Sequence, residues 1–194
     1  MIRLRIVIIL ILFGFTSCTY SFDRADLAFI NTYNKGDTLA FVDKSGKIDS
    51  IEITDKVFYY NGYSEGYEGN PQGCRIYYKT IPPGKKVLAG FGGSQGDVYT
   101  NEFTFLSAVK YKPNEPATIT LKMLGFDARI PKSFISNKGE NVVPIELIHF
   151  CYNCNGVEAT DVVKVHWKPT VGVISYQKKD STTFMLINKR QKSR

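Results

Sequence analysis

Along most of this chain apolar and polar residues alternate one by one, the two-residue period of a strand with one face buried. Thr118 to Leu124 shows it most cleanly: Ile119, Leu121 and Met123 face one way, while Thr118, Thr120 and Lys122 face the other. Thr38 to Asp43 and Lys47 to Thr54 flank the turn residues Lys44-Ser45-Gly46 and predict a hairpin, with Ile51 and Ile53 on one face and Glu52 and Thr54 on the other. Val57 to Asn61, Cys74 to Thr80, Lys85 to Phe91 and Asp97 to Leu106 continue the series, with a long glycine-rich loop expected over Gly62 to Gly73. Pro82-Pro83-Gly84 stops one of these strands, because proline cannot donate to a ladder.

The C-terminal part adds Val143 to Cys151, Val157 to Trp167, Val171 to Tyr176 and Thr182 to Ile187. Val163, Val165 and Trp167 fall on one face and predict a core surface that Val173 and Phe184 or Leu186 complete from neighbouring strands. Gly172 would let a backbone or a large ring approach closely. Pro131 to Gly139 alone has the look of a helical turn, and Thr19 to Asp37, short of clear periodicity, reads as a tether. About ten to twelve strands at a spacing near ten residues, without crossover helices, predict an all-β domain. Its sheet would be antiparallel, a sandwich or barrel-like, with at most one short helical turn.

The first eighteen residues break this pattern. Arg3 and Arg5 precede an apolar run from Ile6 to Phe15, interrupted only by Gly14, and two small residues, Thr16-Ser17, stand before Cys18. That order is the layout of a secretory signal peptide. A run of about ten residues is too short for a transmembrane helix, which needs roughly 20. The chain therefore divides into a signal over 1–17, a tether over 18–37 that starts at Cys18, one β-rich domain over 38–188 and a basic tail over 189–194.

Phe15-Thr16-Ser17-Cys18 resembles the lipobox of bacterial lipoproteins, with Phe15 where Leu, Val or Ile is usual. The resemblance implies that the Cys18 thiol carries diacylglycerol and that the mature chain, bearing three acyl chains of the palmitate type, begins there. One chain binds a bilayer only marginally, whereas several hold a protein on it. Thr19 is not the aspartate that retains enteric lipoproteins in the inner membrane, so the resemblance implies the outer membrane. The chain after Cys18 lacks the acidic cluster of many Bacteroidota surface lipoproteins, which favours the periplasmic leaflet. Asp161 to Ile187, with Trp167, Val171-Gly172-Val173-Ile174, Phe184 and Leu186, is similar to the ends of small lipoproteins of Bacteroidota. That likeness spans about thirty residues and carries no catalytic residue.

Composition agrees with a β-rich fold: 13 Phe and 12 Tyr favour strands, and 16 Gly and 8 Pro punctuate them. The formal charge is +7, but Lys189, Arg190, Lys192 and Arg194 crowd the end of the chain, and an exported protein has little access to nucleic acid. The tail reads as a solvated end, and no nucleic-acid partner is expected. The expected partner is the bilayer, through Cys18.

Four residues form the best constellation for metal chemistry. His149, Cys151, Cys154 and His166 offer two thiols in C-x-x-C and both histidines of the chain, a donor set zinc accepts tetrahedrally. Register opposes it: Asn155-Gly156 is a hairpin signal, and a turn there pairs His149 with about Val162 and leaves His166 near Ile145. The same cysteines could form a disulfide with each other, or one of them with Cys74, in an oxidising compartment. No cofactor is expected otherwise. Gly90 to Gly96 lacks phosphate-loop spacing and a following helix. No serine elbow stands near a histidine, and Glu65, Glu68, Asp97 and Glu102 are scattered.

Tyr59, Tyr60, Tyr63 and Tyr67 run into the glycine-rich loop and offer aromatic rings with polar tips, suited to a protein, peptide or glycan. The sequence thus predicts a lipid-anchored envelope protein with a binding or structural role and no catalysis. Two alternatives stand beside it: a periplasmic carrier or chaperone for apolar ligands, and a zinc- or thiol-dependent enzyme.

Overall fold

A computed structural model describes residues 19–60, 70–82, 87–90, 98–100, 102–124, 126–136, 142–146, 162–168 and 170–190. These form an antiparallel, barrel-like sheet wound in chain order. Strand β1 is Thr19–Tyr20, followed by helix α1, Arg24–Ile30. Strands β2 (Thr38–Val42), β3 (Ile48–Tyr60) and β4 (Asn70–Ile81) run as a meander. A separate hairpin, β5 (Val87–Gly90) with β6 (Val98–Thr100), interrupts it. The meander resumes with β7 (Phe103–Val109), β8 (Thr118–Met123) and β9 (Phe126–Ile130). Helix α2 (Lys132–Ser136) leads to β10 (Val143–Glu146), β11 (Val162–Lys168), β12 (Gly172–Lys178) and β13 (Thr183–Arg190).

The order is β10-β11-β12-β13-β2-β3-β4-β7-β8-β9, so the last strand returns beside β2, and β9 and β10 approach each other to leave the barrel nearly closed. The alternation read from the sequence sets the inside: Leu39, Phe41, Ile51, Ile53, Ile76, Ile119, Leu121 and Met123 are all buried. Each such side chain contributes roughly 1.5–3 kcal/mol relative to exposure. Aromatic rings fill the space between walls. Trp167 stacks on Phe29 at 5.8 Å, Tyr33 meets Phe105 edge-on at 4.8 Å, and Tyr176 stacks on Phe184 at 4.9 Å.

Gly172 does what its position suggested. Its φ is +92°, and a Cβ there would lie 2.0 Å from the Tyr33 hydroxyl, which instead accepts a 2.6 Å hydrogen bond from the Val173 N–H. Val163, expected on the core face, is only half-buried, because the β11–β12 register shifts between Val162 and Lys164 and turns Val162 inward.

Several boundaries differ from the sequence reading. The stretch over 18–37, expected to be a tether, holds α1 and supplies Phe22, Phe29, Ile30 and Tyr33 to the core. The helix starts in a capping box: Asp23 accepts from the Asp26 N–H, and the Asp26 carboxylate accepts from the Asp23 N–H. With α2 this makes two short helices where one turn was expected. The tail expected over 189–194 also begins too early, since β13 runs to Arg190 and pairs Lys189 with Leu39. The two strands expected over Lys47 to Thr54 and from Val57 onward are one long β3, Ile48–Tyr60, bridged by a bulge between Ile53 and Asp55. Residues 70–73 of the expected loop already belong to β4.

Candidate functional site

Helix α1 and the turn after it close one end of the barrel, and three lysines from the walls hold them there. Lys110, buried just beyond β7, reaches Asp26 at 2.8 Å and Asp23 at 2.9 Å. The other Asp26 oxygen accepts the Ala117 N–H at 2.7 Å, so this buried carboxylate is engaged on both sides. Burial pulls the Lys110 pKa down, but the hydrogen bonds and charges of the two aspartates together leave it raised. At the other end of α1, Lys56 donates to the carbonyl of Ile30 at 3.0 Å, to Asn31 Oδ1 at 2.8 Å and to the carbonyl of Tyr33 at 3.3 Å. Those carbonyls belong to the turn where a helix leaves acceptors unsatisfied. Lys189 donates to the carbonyls of Thr32 and Val171 and lies 4.6 Å over the Tyr33 ring. Desolvation lowers the pKa of both Lys56 and Lys189.

Beside this closed end the β3–β4 ribbon projects, and it carries the two described tyrosines of the expected binding surface. Tyr59 is half-buried on the outer wall: its ring covers Gly73, where a Cβ would lie 2.3 Å from the ring, and the Arg75 guanidinium stands 5.4 Å from the ring centre. Tyr60 is 50% and Phe58 45% exposed on the other face, whereas Val57, 41% exposed, shares the face of Tyr59. Phe58 meets Phe22 edge-on at 6.3 Å, and the Phe22 N–H donates to Gln72 Oε1 at 2.7 Å. Strand β1 lies parallel to the start of β4, with Thr19 opposite Asn70 and Tyr20 opposite Pro71. The first strand among the described residues therefore lies at this ribbon. Tyr63 and Tyr67 lie outside the described residues, as does Cys18.

Of the expected metal or disulfide set, His149, Cys151 and Cys154 also lie outside the described residues. His166 is described, and it pairs with Pro144, one residue from the predicted Ile145. Its neighbours Val165 and Trp167 point inward, which leaves the imidazole on the outer wall, where Nδ1 meets Ser175 Oγ at 3.0 Å. Among the described residues there is no group of three or more His, Cys, Asp or Glu placed to hold a metal ion. Cys74 is a free, buried thiol, and the two cysteines considered as its partners, Cys151 and Cys154, lie outside the described residues. Burial pushes its pKa up to about 11, against a smaller pull from Lys56, so at neutral pH it is protonated and unreactive.

A polar cluster that the sequence reading missed sits at the far end of the barrel. Tyr176 donates a 2.5 Å hydrogen bond to Asp49 Oδ2, and Lys178 lies 3.5 Å from the same oxygen. Tyr176 is buried against Phe41 and Phe184, and burial with the adjacent Asp49 charge raises its pKa far above the usual tyrosine value. Asp49 and Lys178 keep about a quarter of their side-chain surface exposed, so water screens this pair. The cluster closes a rim and brings no nucleophile next to a free base.

No helix among the described residues is long and apolar enough to cross a membrane. Neither a family model, nor a curated protein, nor a solved structure matches this chain.

Proposed function

We propose that the protein is a lipoprotein of the cell envelope, anchored in the outer membrane by acylated Cys18, facing the periplasm, with a binding or structural role and no catalysis. One observation carries the reading: Cys18 ends a leader with the layout of an export signal, and it stands directly before strand β1, Thr19–Tyr20. A cut before Cys18 would remove the leader and leave β1 whole.

The non-catalytic part draws support from how the buried and half-buried ionisable groups are employed. Asp26, Lys110, Lys56 and Lys189 are committed to holding α1, and Cys74 is kept protonated. A carrier for apolar ligands would want a deep dry cavity. Trp167, Tyr33, Phe105 and Tyr176 instead occupy the described interior as fully buried side chains, so we favour the packed body.

Replacing Cys18 by serine tests the proposal. The expected result is release of the protein into the soluble fraction together with loss of labelling by a fatty-acid probe. Unchanged membrane retention of the serine variant would overturn it.

A further inference from the structure

The anchor and the exposed aromatic residues meet at one place on the molecule. Thr19 sits one strand spacing from Asn70, and Tyr60 sits one strand spacing on the other side of Gln72, two residues further along β4. With strands about 4.8 Å apart and about 3.3 Å per residue, Thr19 and Tyr60 are about 12 Å apart. Cys18 is one peptide unit before Thr19, about 3.8 Å between Cα atoms. No slack chain separates the lipidated residue from the folded body, because β1 is paired, Phe22 is buried and α1 is locked by Lys110, Lys56 and Lys189. Wherever the acyl chains enter the bilayer, the end of the ribbon bearing Phe58 and Tyr60 is held within about 16 Å of that point, the sum of the two spacings.

We infer that the end of the β3–β4 ribbon, with Phe58 and Tyr60 at its centre, rests in the interfacial layer of the bilayer that holds Cys18, so that the barrel stands with its α1 end toward the membrane. The inference rests on the lipoprotein reading and adds an orientation to it. Its chemistry is that of aromatic side chains at the water–hydrocarbon boundary, where an apolar ring enters and a phenol stays wet. Phe58 and Tyr60 lie on the same face of β3, two residues apart, and both are about half exposed although they are large and aromatic. The occupant is the bilayer because Cys18 delivers this face to it.

A second exposed apolar group competes for that role and makes the inference testable. On the barrel wall Met185, at 51% exposure, pairs with Val42, which pairs with Ile48, at 58% exposure. These residues lie toward the far end, away from Thr19, so a membrane at the ribbon leaves them in water.

Hydroxyl-radical footprinting read by mass spectrometry distinguishes the two faces. The acylated protein on vesicles of phosphatidylethanolamine and phosphatidylglycerol is compared with the Cys18→Ser chain free in solution. Oxidation of Phe58 and Tyr60 should fall roughly fivefold on the vesicles, as for rings withdrawn from water, while Met185 oxidises equally in both. If the protein floats with the vesicles yet Phe58 and Tyr60 oxidise as in solution, the orientation is wrong and the anchor stands. Protection of Met185 in their place would likewise overturn it, assigning the wall to the membrane. A chain that bears no acyl mass on Cys18 and does not float overturns the orientation and the anchor together.

Discussion

The two ends of the barrel use charge in opposite ways. At the α1 end, Asp26 and Lys110 are withdrawn from water, and Lys56 and Lys189 reach over to the turn after the helix. At the far end, Asp49 and Lys178 meet at a rim that water still reaches. A desolvated ion pair gains little net stability but makes the loss of either partner severe, whereas a screened pair contributes little in either direction. The α1 end is therefore built so that the N-terminal segment has one place to go, and the far end tolerates change. With the anchor proposed at Cys18, that asymmetry would fix how the body is carried.

The comparison can be broken first at Asp26. Asp26→Ala leaves Lys110 buried without its main partner and orphans the Ala117 N–H, so urea unfolding should show a loss of about 3–5 kcal/mol. Combining Asp26→Leu with Lys110→Met should recover most of that loss, because no uncompensated charge then remains inside. Gly172→Ala comes next. A methyl there meets the Tyr33 ring and must adopt a positive φ, and overpacking with backbone strain predicts a loss of about 2–4 kcal/mol in the same measurement.

Alkaline pH sharpens the picture through Tyr78, whose hydroxyl accepts the Leu124 N–H at 2.7 Å. Burial pushes its pKa up to about 12 from an ordinary value near 10. The folded state thus keeps a proton that the unfolded chain has given up, and the stability this confers is whole below pH 10 and lost as pH rises toward 12. Between pH 9 and 11 the wild type should lose about 1 kcal/mol more than Tyr78→Phe, read from unfolding curves at each pH. At the far end Tyr176→Phe removes one partly screened hydrogen bond and should cost about 1 kcal/mol or less. Phe58→Ser with Tyr60→Ser should leave stability within about 0.5 kcal/mol, since both side chains are surface-exposed.

The walls of this fold were legible because each strand repeats the same message. Ile119, Leu121 and Met123 announced a buried face, Lys44-Ser45-Gly46 announced a turn, and the Asn155-Gly156 signal placed His166 within one residue of its observed partner. Gly172 was readable too, from the close approach that only glycine permits. The closed end was not, because its information is polar and long-range. Asp26 and Lys110 are 84 residues apart and look like ordinary surface charges until the fold brings them together. The local cue was Asp23-x-x-Asp26, an acidic variant of a capping box, hidden in a stretch too short to show helical periodicity. Lys189 was misread for the same reason: a basic residue among basic residues looks solvated, yet β13 carries it to the carbonyls of Thr32 and Val171. At the ribbon, the tyrosines were legible as rings. Their neighbourhood with the start of the chain needed the parallel pairing of β1 with β4.

The anchor itself remains the premise of the orientation, and the mass of the N-terminal peptide tests it most directly. Purified from membranes, the protein should begin at Cys18, with that residue heavier by a diacylglyceryl group and an amide-linked fatty acid. A peptide that begins elsewhere, or a Cys18 of unmodified mass, would contradict the account.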